Sequence, residues 1–119
     1  MKQNNNQIKT RKNLATKHYC TDRQLNILET IGYKAVRRKG ELMFLVIDWI
    51  REYYNMYVEA YLTNICSRHI SYTIRVSSPE GGNVLKHTSH TEYYDALSAA
   101  LDMALNLIKS RTEDINNLD

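Results

Sequence analysis

Asp48 and Glu52 are the first residues whose types and spacing could do chemistry. A separation of four puts both carboxylates on one face of a helix, an arrangement that a general acid–base pair can use and that any solvated helix face shares. No GxSxG, P-loop, GxGxxG or HExxH pattern accompanies them. His87 and His90 stand three apart, and His18 and Cys20 two apart. A structural zinc site needs four convergent ligands, and neither pair reaches that number. The sequence therefore points to no catalytic residues, no metal and no cofactor, and the expectation is a protein that is not an enzyme.

Binding chemistry remains. With Val58 and Ile74 turned inward, the alternation of a strand puts Tyr57, Tyr61, His69 and Arg75 on the opposite, outer face of a sheet, with Lys86 or His87 joining according to register. Aromatic rings and cations on an open sheet stack bases and hold phosphates, and they serve protein contacts equally well. Glu59 in the middle of the set works against a polyanion. The second candidate is the basic run Lys34, Arg37, Arg38 and Lys39, which with the cations of residues 9–17 makes a possible arm for nucleic acid. A solvated linker and ordinary cross-strand pairs are the plain alternatives for the two sets.

These residues depend on a small number of elements. Thr21 and Gln24 fit a capping box, Leu25, Leu28 and Ile31 follow at helical spacing, and Gly32 suits a left-handed stop, which predicts a helix over 22–31. Leu42, Leu45, Val46, Trp49, Ile50 and Tyr53 predict a second over 41–54, with Met43, Phe44 and Ile47 widening its apolar side. The period then changes to two. Met56, Val58, Ala60 and Leu62 alternate with Tyr57, Glu59, Tyr61 and Thr63, and Ile70, Tyr72, Ile74 and Val76 alternate with His69, Ser71, Thr73 and Arg75. A turn over 77–83 leads to a short strand over 84–88. Ser89 and Glu92 fit a second capping box, with Thr91 as a rival cap. The stripe Tyr93, Ala96, Leu97, Ala100, Leu101, Ala104, Leu105 and Ile108 predicts a long helix ending near residue 111.

The order α-α-β-β-β-α with short links predicts a two-layer α+β domain, a three-stranded antiparallel meander covered by helices. The domain is expected over 20–111, with a flexible basic tail over 1–19 and a frayed end over 112–119.

The block Trp49-Ile50-Arg51-Glu52-Tyr53-Tyr54-Asn55-Met56-Tyr57-Val58, the strand pair after it, and Thr91-Glu92-Tyr93-Tyr94-Asp95-Ala96-Leu97 opening an amphipathic helix resemble small uncharacterised proteins of Bacteroidales genomes and their phages. The resemblance covers about residues 41–110. It implies a shared fold and a mobile-element setting, and no activity. The element order is also that of a double-stranded RNA-binding domain, whose last helix opens with a lysine-rich run that grips phosphates. Here that helix opens acidic, which removes the main reason to carry RNA binding over.

Bulk properties narrow the partners. The 119 residues suit a single domain. Residues 1–40 hold ten Lys or Arg against two acids, and residues 41–119 hold six against eleven. A basic front on an acidic body can neutralise phosphates or dock on acidic protein. Two distant cysteines make no disulfide framework. The longest apolar run, Leu42 to Ile47, is far too short to span a membrane. The expectation is a cytoplasmic accessory protein that binds another protein or a second copy of itself, with no membrane and no small-molecule substrate. Nucleic-acid binding through the arm and the sheet face is the alternative, and a virion structural component is a third.

Overall fold

The computed structural model describes residues 17–34, 40–66, 69–79 and 81–117, with the side chains of these except at 64–66, 69 and 113–117. The elements are α1 (Asp22–Thr30), α2 (Met43–Tyr54), β1 (Tyr57–Cys66), β2 (His69–Ser78), β3 (Gly82–His87) and α3 (Tyr93–Asn117). This is the α+β order expected. The strands form one antiparallel sheet in the order β1-β2-β3.

The capping box forms as the sequence implies: Thr21 Oγ1 accepts from the Gln24 amide, and Gln24 Oε1 accepts from the Thr21 amide. The Gln24 side chain is fully buried and does more than cap. Its Nε2 donates to the Ser98 carbonyl at 3.1 Å, to Ser98 Oγ at 3.0 Å and to Asp102 Oδ1 at 2.9 Å, which ties α1 to α3. Below α1, the Cys20 amide donates to the Glu41 carbonyl and the Met43 amide to the His18 carbonyl, around a bridge between Tyr19 and Leu42. His18 and Tyr19 thus belong to the folded part, inside the segment expected as tail, because the extended backbone before α2 supplies them with partners. The same pairing keeps Glu41 and Leu42 extended and delays α2 to Met43.

The core gathers Leu28 of α1, Met43, Val46 and Ile50 of α2, Met56, Val58, Ile74 and Val76 of the sheet, and the apolar stripe of α3 from Ala96 to Ile108. Helices α2 and α3 therefore cover one face of the sheet, and α1 packs on α3. The buried stripe of α2 is narrower than its sequence implies. Phe44 is 58% exposed, and Leu45 and Tyr53 lie on the surface with it. Asn55 ends α2 in the left-handed region, at φ 51°, and turns the chain into β1. A small polar residue tolerates that conformation better than a branched one.

Two further boundaries differ from expectation. Helix α3 begins at Tyr93, so Glu92 precedes the helix instead of standing third in it as a capping box needs, and its carboxylate is 2.6 Å from Lys17 Nζ. Helix α3 continues to Asn117 instead of ending near 111. No Gly or Pro stops it there, and Thr112 Oγ1 donates to the Ile108 carbonyl.

Candidate binding surface

The pairing register decides which side chains share the open face. Tyr57, Glu59 and Tyr61 stand opposite Ser77, Arg75 and Thr73, and those three stand opposite Asn83, Leu85 and His87. Directly opposed residues of an antiparallel pair point to the same side. The outer face thus carries Tyr57, Glu59, Tyr61, Arg75, Leu85 and His87, while Val58, Ile74 and Val76 point to the helices. The register resolves the choice between Lys86 and His87 in favour of His87.

Thr73 sits at the centre of this face and is 1% exposed, although no helix covers it. Its neighbours cover it. The Thr73 hydroxyl is hydrogen-bonded to the Thr63 hydroxyl on one side and to His87 Nδ1, 2.8 Å away, on the other. A bulge between Leu62 and Asn64 brings Thr63 into this position. Around this polar centre stand Tyr57 at 46% exposure, Tyr61 at 42% and Leu85 at 57%.

Arg75 is not an unpaired cation. Its Nε donates to Glu59 Oε2 at 2.9 Å, its Nη2 contacts the same oxygen, and its guanidinium carbon lies 5.8 Å from the centre of the Tyr61 ring. The face is therefore aromatic, partly apolar and internally neutralised. Such a surface suits protein, where Tyr, Arg and an exposed aliphatic group form contacts. It offers a phosphate backbone little, because counterion release needs cations that are not already paired.

Tyr57, Tyr61 and Arg75 are thus brought together. His69 opens β2 opposite Cys66, and its side chain lies outside the described residues. Arg37, Arg38 and Lys39 of the proposed basic arm also lie outside them. Lys34 is exposed and borders a groove of about 660 Å³ walled by Tyr33, Trp49, Tyr53 and Tyr54. The rings of Tyr33 and Trp49 meet edge to face at 5.0 Å. Tyr54 donates its hydroxyl to the Ile31 carbonyl at 2.9 Å, and burial raises its pKa. Tyr33 donates to Oε2 of the buried Glu41 at 2.8 Å, and burial first, then that bond, raises its pKa strongly. These rings are packed against each other and the backbone, so the groove is the rim of the core.

The catalytic and metal candidates separate. Asp48 pairs with Arg51 at 3.1 Å on the solvent side of α2. His18 packs edge-on against Tyr94 with ring centres 4.0 Å apart, while Cys20 is buried. Burial, with Glu41 and Asp102 nearby, pushes the Cys20 thiol up to about 12. A thiol held protonated is a poor nucleophile. Among the described residues no three His, Cys, Asp or Glu side chains are placed to hold a metal ion. None of the described helices is long and apolar enough to cross a membrane.

Sequence reasoning missed Leu85 as a member of the face. Strand alternation alone placed Glu59, Thr63 and Thr73 there; the hydrogen bonds that join them depend on register and on the bulge. No protein-family model, curated protein or solved structure matches the chain.

Proposed function

We propose that this is a non-enzymatic protein-binding module that engages its partner through the open sheet face, with Tyr57, Tyr61 and Leu85 as anchors and the Arg75–Glu59 pair between them. One observation carries the reading: the helical layer covers a single side of the sheet, leaving exposed aromatic and aliphatic groups around a guanidinium already matched by a carboxylate. A partner that buries the face meets an Arg75 guanidinium and a Thr73 hydroxyl that already have partners, so little is lost at these two groups on removing water. The resemblance to Bacteroidales and phage proteins supports an accessory role in a mobile-element setting.

The test is retention of a partner from host lysate on the full chain, with and without nuclease, compared with a Tyr57→Ser/Tyr61→Ser variant. The expected result is one protein recovered in stoichiometric amount, resistant to nuclease and lost with the double variant. The second reading, nucleic-acid binding, is favoured by the concentration of positive charge in residues 1–40. It requires recovery that vanishes with nuclease, falls steeply with salt and is indifferent to the two tyrosines.

A further inference from the structure

We infer that the chain self-associates through the free edge of β3, pairing it antiparallel with β3 of a second copy to make one six-stranded sheet. This is independent of the open-face reading, because it uses backbone groups at the sheet edge. The inference begins with an asymmetry in the helical layer. Helix α3 packs chiefly on β1 and β2. All six residues of β3 are exposed, Val84 and Lys86 on the helical side as well as Asn83, Leu85 and His87 on the outer side. A groove of about 510 Å³ separates the helical side of β3 from Ala99, Asp102, Met103 and Asn106 of α3.

The free groups of this edge can be identified. The Thr88 amide donates to the carbonyl of Tyr72, which continues the register as its opposite residue. Hydrogen-bonded and non-bonded pairs alternate along an antiparallel ladder. Lys86 and Val84 therefore spend their backbone groups on β2. Asn83, Leu85 and His87 direct theirs outward, three amides and three carbonyls in one row. Such a row is a template for another strand.

The order of residues makes the row complementary to itself. A two-fold axis through Leu85 and perpendicular to the sheet sets Leu85 opposite Leu85 of the second copy, and Asn83 opposite its His87. All three outward-directed residues then pair, giving six backbone hydrogen bonds by geometry. Opposed side chains share a face, as the pleat requires. The same axis puts Lys86 opposite Val84, so the like charges avoid direct opposition. Shifting the axis to Lys86 would oppose the two lysines, and shifting it to Val84 would leave His87 unpaired. The edge of β1 is the poorer choice, because the bulge between Leu62 and Asn64 interrupts its regularity.

The experiment is sedimentation of the full chain over a wide concentration range, with amide hydrogen exchange read by NMR at its two ends. In dilute solution the Val84 and Lys86 amides are expected to be protected and those of Asn83, Leu85 and His87 to exchange quickly. In the dimer all five are protected. Leu85→Lys, at an exposed position, sets two ammonium groups opposite each other and is expected to raise the dimer dissociation constant about tenfold. The Tyr57→Ser/Tyr61→Ser variant is expected to dimerise normally. A chain that stays monomeric at every concentration overturns the inference. So does a dimer whose Asn83, Leu85 and His87 amides remain fast, or one unaffected by Leu85→Lys. Loss of the dimer in the tyrosine variant, with the edge amides unprotected, would move self-association to the open face and overturn edge pairing alone.

Discussion

Arg75 donates through Nε to Glu59 Oε2, 2.9 Å away, across the β1–β2 pair. Both side chains are about two-fifths exposed, so the pair matters more for what the surface attracts than for stability. Glu59→Gln is expected to change unfolding free energy by less than about 1 kcal/mol in urea titrations. The same substitution releases the guanidinium. Binding of labelled single-stranded DNA at low salt, read by anisotropy, should therefore strengthen in Glu59→Gln. An unchanged affinity would mean that the pairing does not control the charge character of the face.

Gln24 joins two helices through its side-chain nitrogen, which has three acceptors on α3. Gln24→Ala removes the buried amide and leaves the acceptors at Ser98 and Asp102 to find other donors. The expected loss is about 2–4 kcal/mol, compared with about 1 kcal/mol for Thr21→Ala, which removes only the cap. Gln24→Glu should be at least as harmful as the alanine, because it sets a carboxylate against the Asp102 carboxylate and the Ser98 carbonyl. Denaturant midpoints of the three variants give the order.

Those two residues also show what a sequence can and cannot disclose. The capping box is a local pattern, four residues long, and is legible in the sequence. The reach of Gln24 to Ser98 and Asp102 spans more than seventy residues and depends on how α1 crosses α3. Strand alternation likewise placed Tyr57, Tyr61 and Arg75 on one face. That Thr73 would be buried there, between Thr63 and His87, required the bulge and the register. On α2 the apolar run is too long for its period to show which residues face inward, and Phe44 and Leu45, counted with its apolar side, lie on the surface. Glu41, a carboxylate at 2% exposure, gave no sequence signal, since its burial follows from the Tyr19–Leu42 bridge and the Tyr33 hydroxyl.

Alkaline pH should weaken the fold. Burial raises the Cys20 thiol from its ordinary 9.0 to about 12, and burial together with the Glu41 hydrogen bond raises the Tyr33 phenol from 10.0. Both groups hold their protons more tightly folded than unfolded. Their contribution is whole below pH 9 and is lost as pH climbs toward the folded values. The melting temperature is expected to be insensitive to these groups at neutral pH and to fall above pH 9. Cys20→Ala should flatten the fall. In a Cys66→Ser background, Cys20 should resist thiol reagents at pH 8 until denaturant is added.

Leu105 is fully buried in the α3 stripe. Leu105→Ala is expected to cost about 2–5 kcal/mol, the range for a leucine truncated inside a packed core. Phe44→Ala, on the exposed side of α2, should change stability by less than about 0.5 kcal/mol. Thermal melts of the two variants separate a core residue from a surface one of comparable hydrophobicity.

The Lys17–Glu92 contact and the Tyr19–Leu42 bridge fix where the basic leading segment joins the domain. That junction is at the start of α3, within the helical layer, whereas Tyr57, Tyr61 and Leu85 look out from the opposite side of the sheet. Two surfaces facing away from each other do not compete for room. Substitution of Lys17 is therefore expected to leave binding at the proposed open face unchanged.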